Sequence, residues 1–485
     1  MSFMMTIAGR SVAGETTFDV INPATEEVVA QAPECTREQL EQAMTAAQEA
    51  FPGWSGLDHS ERREIMLAAA DAFEAAEKDL IPVLTAEQGK PLNDSEFEAT
   101  LPARWIRHYA GIELPQEEVL QENELARSIL TRRPLGVIAG ITPWNFPIYQ
   151  VIEKIAPGLI VGNTAVIKPS PYTPLTTLMM GEIVRDILPA GVLNIVSGGD
   201  DLGRWMTEHP IPRKVSFTGS IATGRKVNET AASDFKRVTL ELGGNDPAIV
   251  LADVDVADAA SKIFWVGMGN CGQICNAVKR VYAHESIYEE VVEALAEIAR
   301  GVKVGNGAEP GVHMGPLNNK AQQERVIELT ADAIANGAVA VTGGKAPEGP
   351  GYFFEPTILR DARDGMRIVD EEQFGPVLPV IPFSDVEDVI ESANNSDFGL
   401  SGSVWTQDLD QARSIAARLD TGTVHINAHM VGGENICFGG VKHSGVGQAN
   451  GMQGMLGYTE IKVINTASGW EGVELPTVMD ATGVG

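Results

Sequence analysis

The sequence predicts an α/β protein built on parallel sheets and divided among two or three domains. Three observations lead there. At 485 residues the chain exceeds what one hydrophobic core can serve. From about residue 134, short apolar strands alternate with helical segments, the pattern of a parallel sheet with crossover helices. From about residue 247 a second alternation of the same kind begins.

Residues 20 to 110 read as helices. "TREQLEQAMTAAQEAF" opens on Thr36 as a capping residue and continues in helix formers. "SERREIMLAAADAFEAAEKDLIPVLTAEQGK" is a long amphipathic stretch that stops near Gly89 and Pro91. In the first α/β unit the strands are "PLGVIAGI", "TAVIKPS", "GVLNIVSGG", "RKVSFTGS" and "RVTLELGG". The intervening helices are "PIYQVIEKIAPGLIVG", "PLTTLMMGEIVRDI", "DLGRWMTEH" and "IATGRKVNETAA". The second unit runs through "DPAIVLAD", "RVYAHES", the helix "YEEVVEALAEIARGV", "AVAVTGG" and "TGTVHINAHM". Two β-prone stretches, 118–131 and 458–465, stand apart and are expected to pair with each other or with another subunit.

Composition removes several classes of function. Thirty-six basic against 66 acidic side chains leave a net charge of −30, which repels nucleic acid and anionic membranes. No run approaches the roughly twenty apolar residues that span a bilayer, and the first residues carry no secretory pattern. Four cysteines, Cys35, Cys271, Cys275 and Cys437, make no disulfide framework and read as reduced thiols. No CxxC or HExxH occurs, so no metal site is expected. The expectation is a soluble cytoplasmic protein with a small-molecule substrate.

Two stretches compete as phosphate loops. "GMGNCG", residues 267–272, fits GxGxxG, but it lacks the strand before and the helix after that give the pattern meaning. "SFTGSIATGRKV" offers a strand, then Gly219 and Ser220 at the start of a helix. Free N–H groups there suit a phosphate, and an ordinary turn capped by Ser220 explains the pattern equally well.

The chemistry centres on Cys275 in "GQICNAVKR". A lone cysteine is usually a buried, inert hydrophobe; a nucleophile needs an activating base and an oxyanion donor. "TLELGGNDP" places Glu241 at a strand end beside two glycines, fit for a base or a plain strand-end carboxylate. "ITPWNFP" holds Asn145 in a rigid loop, as an amide donor or a helix cap. "EEQFGPVLPV" puts Glu372 before Phe374, where it reaches a cofactor or ends a helix.

Taken together and in order, "PWNFP", "AVIKPS", "FTGS…G", "LELGGNDP", "GQICNAVKR", "EEQFGPV" and "FGGVKHSGVG" resemble the NAD(P)-dependent, non-acylating aldehyde dehydrogenase superfamily. The resemblance runs from "FDVINPATEEVVA" to "GYTEIKVI". It implies a Rossmann-type cofactor domain (1–117 and 133–245), an α/β catalytic domain (246–440), and a small β oligomerisation arm with the C-terminal tail (118–132 and 441–485). It implies Cys275 as nucleophile, Glu241 as deacylation base, and Asn145 with the Cys275 N–H as oxyanion hole. Ile141, Trp144, Lys168, Ser170, Pro171, Gly219, Ser220, Gly224, Glu372 and Phe374 fall at cofactor positions. Phe146, Tyr149, Gln150, Glu153, Ile274 and Asn276 fall at the substrate pocket. Lys154 and Glu460 match a buried pair that is either a proton path or a structural salt bridge. A homodimer or homotetramer is implied.

Two departures matter. Pro171 in "KPSP" stands where many NAD-preferring members carry a glutamate that binds the adenosine ribose and repels a 2′-phosphate, so NADP is expected to be accepted beside NAD. Tyr149, Gln150 and Glu153 introduce polar groups where bulky apolar ones are frequent, pointing to a polar or cationic tolerance unless Glu153 faces solvent. The competing readings are a CoA-acylating semialdehyde dehydrogenase, disfavoured by Glu241, and a silent structural or cofactor-sensing relative, disfavoured by Cys275, Glu241 and Asn145 together.

Overall fold

Five parallel strands form the centre of an eight-stranded sheet in the computed structural model, which describes residues 2–115, 117–123 and 126–467. Their spatial order is Arg237–Glu241, Lys214–Thr218, Val137–Ile141, Thr164–Lys168, Leu193–Ile195. The chain starts in the middle strand, fills one side, then returns to fill the other. The switch point therefore lies between Val137–Ile141 and Lys214–Thr218, and ligands of open sheets bind beyond the carboxyl ends of such strands. All five residues of each of these two strands are buried, as expected of a sheet covered on both faces.

A seven-stranded sheet follows, six of its strands parallel: Thr357–Arg360, Val377–Phe383, Val278–His284, Asp246–Val250, Ser401–Trp405 and Thr423–Ile426. Val339–Thr342 joins its edge antiparallel. The α/β class and both alternations hold. Strand Thr459–Ala467 pairs antiparallel with Ala126–Pro134 from Thr459↔Pro134 to Ala467↔Ala126, and Glu118–Glu122 adds a third strand. The two isolated β-prone stretches thus meet within one chain.

The structure corrects the sequence reading at two places. Residues 20 to 110 are not all helical: Thr16–Ile21 and Val28–Glu34 form an antiparallel hairpin around "NPATEE" before the helices begin. The missed signal is the alternation of Phe18 and Val20 with Asp19, followed by an Asn-Pro turn. Gly445–Val446, assigned with the arm, is instead an edge strand of the first sheet, paired with Leu240 and Glu241. Residues 468–485, assigned to the tail, lie outside the described residues.

The helices behave as read. Thr36 forms a full capping box: its hydroxyl accepts from Gln39 N at 3.2 Å, and Gln39 Oε1 accepts from Thr36 N at 3.0 Å. Helix His59–Gln88 stops at Gly89, whose φ of 99° is left-handed. A third helix, Leu92–Ala110, packs back against it.

Between these two helices sits a fully buried ion pair, Lys90 Nζ to Glu98 Oε2 at 2.5 Å. Lys90 also donates to the backbone oxygen of Asn145 at 3.0 Å and lies 3.8 Å from the Phe146 ring centre. Glu98 Oε1 accepts from Ile148 N (2.9 Å) and Tyr149 N (3.1 Å), the first free amides of helix Pro147–Ile160. Glu98→Ala strands the Lys90 ammonium and uncaps that helix. The expected loss is about 3–5 kcal/mol, read as a lowered midpoint of urea unfolding; a loss under about 1 kcal/mol would mean the pair acts like a surface one.

Candidate active site

The loops beyond the switch point wall a cavity of about 1150 Å³. Asn145, Glu241 and Cys275 all line it, although they come from three separate segments. Trp144, Gly219, Ser220, Glu372 and Phe374 share its wall.

Cys275 is half-buried, its sulfur 3.9 Å from Asn276 Oδ1. The loop that carries it follows helix Val256–Met268 through an unusual backbone. Asn270 (φ 48°), Cys271 (φ 59°) and Gly272 (φ 72°) are successive left-handed residues. Gly272 has no alternative: a Cβ there would lie 2.2 Å from Gly375 O. Lys279 Nζ donates to Gly272 O at 2.7 Å and reaches the Phe374 ring at 5.1 Å, so the Cys275 loop and the Phe374 loop share one cation. Gly267 belongs to the last turn of a helix, not the start of one, which accounts for the failure of "GMGNCG" as a phosphate loop.

Asn145 is clamped from both ends. Its side-chain amide donates to Gln273 O at 2.9 Å, and its backbone oxygen accepts from Asn270 Nδ2 at 3.0 Å. An amide nitrogen has two donors, so one N–H is fixed against the Cys275 loop and the other remains for an oxygen in the cavity. Gln273 itself is anchored to Asn270 O (2.8 Å) and Asn318 N (2.8 Å). Sequence reading missed Lys90, Asn270, Gln273 and Lys279. Nothing in their local pattern separates them from surface polar residues; only the fold brings them together.

Glu241 ends strand Arg237–Glu241, buried, and neither carboxylate oxygen has a hydrogen-bond partner. Burial, then the negative charge of Glu153, pushes its carboxyl well above the ordinary range, with Lys154 opposing. Burial also pushes the Cys275 thiol up, reinforced by Glu241, Glu372, Asp246 and Glu153. Glu372 rises to about 7 through burial, with Lys279 and the Gly244 N–H opposing. That N–H donates to Glu372 Oε1 at 3.2 Å. A Cβ on Gly243 would lie 2.1 Å from Glu372 Oε2, so any larger residue there displaces the Glu372 carboxylate.

The remaining expected residues divide. Trp144 meets Phe374 edge-to-face at 5.4 Å, an aromatic wall. Ser220 caps helix Ile221–Ala232 by accepting from Thr223 N at 3.3 Å, and the next residues of that helix still face the cavity. The capped turn is thus formed, and its helix start is open to the cavity. Gly224 is set back: a Cβ there would fall 2.5 Å from Leu242 Cδ2, so it serves close helix–sheet packing. Ile141 and Lys168 end neighbouring strands in register. Lys168 is buried, held down to about 8 by burial against Asp200 and Glu34, and donates to Pro169 O at 3.2 Å. Ser170 is buried and Pro171 partly exposed beside it. Gln150 lines the cavity, and Ile274 and Asn276 flank Cys275. Asn276 O meets His429 Nε2 at 3.0 Å. Phe146 packs on Lys90 instead. Cys271 is a buried free thiol.

The Lys154–Glu460 pair is not formed. Glu460 lies in strand Thr459–Ala467 and pairs with Arg133 at 2.7 Å on the partner strand. Register alone places it there: Glu460 is directly opposite Arg133. Lys154 takes Glu153 as its carboxylate at 3.6 Å, both side chains 3% exposed, so Glu153 does not face solvent.

An aromatic wall, glycines where a backbone must come close, and a helix start facing the cavity fit a nicotinamide dinucleotide. A thiol, an amide donor and a buried carboxylate across one cavity can perform acyl chemistry at an aldehyde carbon.

The model of the aldehyde dehydrogenase family matches residues 10–464. A phenylacetaldehyde dehydrogenase of Pseudomonas fluorescens is 40% identical over 476 residues, covering 94% of this chain and 94% of that protein. The lactaldehyde dehydrogenase of Escherichia coli strain K12 is 39% identical over 462 residues, covering 93% and 95%. The solved NAD+ complex of an aldehyde dehydrogenase from Bacillus cereus matches with a TM-score of 0.94 at 36% identity, over 96% of this chain and 97% of that one. With a family match over nearly its whole length and a fold shared at this level, the chain belongs to the aldehyde dehydrogenase family.

Proposed function

We propose that the protein oxidises an aldehyde to its carboxylic acid with NAD(P), releasing the acid by hydrolysis. The observation that carries this reading is the convergence of Cys275, Asn145 and Glu241 on one cavity. The Cys275 sulfur attacks the aldehyde carbon. Asn145 Nδ2 and the Cys275 N–H hold the oxygen of the thiohemiacetal. A bound oxidised nicotinamide supplies the hydride acceptor, and Trp144, Gly219, Ser220, Glu372 and Phe374 are the residues that would hold it. The thioester left on Cys275 is hydrolysed by water that Glu241 deprotonates. Glu241 disfavours transfer to CoA, and the intact constellation disfavours a silent relative.

The NAD+-bound Bacillus cereus neighbour supports a nicotinamide dinucleotide here. Pro171 leaves no carboxylate at its position, which supports entry of NADP as well as NAD. The proposed division assigns 1–117 and 133–245 to the cofactor, 246–440 to catalysis, and the three-stranded arm to a homodimer or homotetramer in the cytoplasm. Exposed Val119, Leu120, Ile461, Val463 and Ile464 on the arm support that last role.

Reduced-nicotinamide formation is the test. Cys275→Ala should abolish it with every aldehyde and without CoA; residual wild-type turnover would overturn the nucleophile. Asn145→Ala should lower kcat by about 10²–10³. Glu241→Gln should give one rapid equivalent of reduced cofactor and then stall, because the thioester forms but is not hydrolysed.

The pH dependence follows from the same groups. Glu241 works as the deprotonated base and its carboxyl is raised, so hydrolysis is lost as pH falls through that raised value. Cys275 works as the thiolate and is also raised. Activity should therefore climb with pH, with its acid limb well above the ordinary glutamate value of about 4.3. A profile flat down to that value would refute the assignment. Separate rates with NAD and NADP test Pro171: turnover with NAD alone would overturn NADP acceptance.

A further inference from the structure

Lys154 and Glu153 are successive residues of helix Pro147–Ile160, and neighbours on a helix do not normally face each other. Here both head groups are buried. The Lys154 ammonium donates to Thr218 Oγ1 at 2.7 Å and lies 3.4 Å from Gln150 Oε1. Glu153 Oε2, at 3.6 Å, is the carboxylate nearest it among the described residues. Glu153 Oε1 accepts from Tyr149 O–H at 3.0 Å, and Asn450 Nδ2 donates to that same Tyr149 oxygen at 3.1 Å. The Tyr149 ring is fixed edge-on against Trp105 at 5.3 Å.

This chain of contacts ends beside the base. Thr218 pairs with Glu241 in the parallel ladder, so their side chains share one face of the sheet. Thr218, Gln150 and Glu241 also line the same cavity.

We propose that Glu153 is a positioning residue for Glu241: its carboxylate holds the Lys154 ammonium against Thr218 and adds a second negative charge beside the base. The inference rests on Glu241 acting as the base of hydrolysis. Among the described residues Glu153 is the carboxylate paired with Lys154, and Glu460 is engaged by Arg133 on the arm.

The two charges act on Glu241 with opposite sign. The negative charge of Glu153 opposes loss of its proton, and the positive charge of Lys154 favours it, with Glu153 the stronger influence. Burial pulls the Lys154 ammonium down and Glu153 is the first group supporting it. The other titratable groups around the base are Cys275 and Tyr458, with Lys214 behind Lys154, and Tyr109 and Tyr149 behind Glu153.

The experiment is the pH profile of steady-state kcat for the full chain with saturating aldehyde and cofactor. Glu153→Gln keeps the shape and the Tyr149 hydrogen bond but removes the charge. Its acid limb should move to lower pH by about one unit, the size a neighbouring charge produces. Lys154→Met should move the limb the other way, and Glu153→Asp should leave it near the wild-type position. A purely structural pair would lower kcat by the same factor at every pH and leave the limb where it was; that outcome, in either Glu153→Gln or Lys154→Met, overturns the inference. Glu241→Gln runs in parallel: if it keeps full turnover, the base itself is wrong. If it stalls while the Glu153→Gln limb stays fixed, only the role of Glu153 fails.

Discussion

Lys90 is a cation shut away from water, and the site is built around that fact. A buried ammonium is tolerated only when paired and hydrogen-bonded. Its partners, Glu98, the Asn145 carbonyl and the Phe146 ring, belong to a neighbouring helix and to the loop beyond the switch point. Satisfying Lys90 therefore fixes the backbone of Asn145. Glu98, by taking two amide protons of the next helix, fixes where that helix starts. Asn145 then reaches across to Gln273 and Asn270 and ties the Cys275 loop to the same frame. One charge requirement thus passes through two hydrogen bonds to the residues flanking Cys275.

Burial raises the acids that line the interior of the site. Glu241 and Glu372 are both raised, and both raise the Cys275 thiol in turn. Lys154 offsets the shift of Glu241 and Lys279 that of Glu372, the first held by Thr218 and the second against the Phe374 ring. Shifted groups gathered in one cleft are what a reactive site is expected to contain.

Much of this was legible in the sequence, and the limits follow a physical line. Alternating strands and helices gave both parallel sheets, because period and length survive without tertiary context. The local patterns around Cys275, Glu241 and Asn145 left each open between a chemical and a structural role; the order of the motifs joined them by resemblance, and the fold brings all three to one cavity. Glu460 was misplaced because pairing depends on strand register, which no local pattern reports: opposite Arg133 it belongs to the arm. Glu153 looked like a tunnel or surface group because helical periodicity says which face a residue shares, not what covers that face. Lys90, Gln273 and Lys279 were invisible for the same reason; a lysine reads as surface until the fold encloses it. The hairpin at Thr16–Ile21 was legible and overlooked, its alternation overshadowed by the strong helices after it.

The arm has a consequence for the order of events during synthesis. Its middle strand, Ala126–Pro134, leaves the ribosome more than three hundred residues before its partner Thr459–Ala467. For most of translation that strand has only Glu118–Glu122 on one side and an open edge on the other. Both sheets can collapse in that interval from segments already released, whereas the long-range pairing waits for the last residues. Asn163 Nδ2 donates to Tyr458 O and Leu135 N to the same carbonyl, so the final strand also locks the first sheet from behind. A nascent chain halted before residue 459 would carry a nearly finished site on a frame still waiting for its last seam.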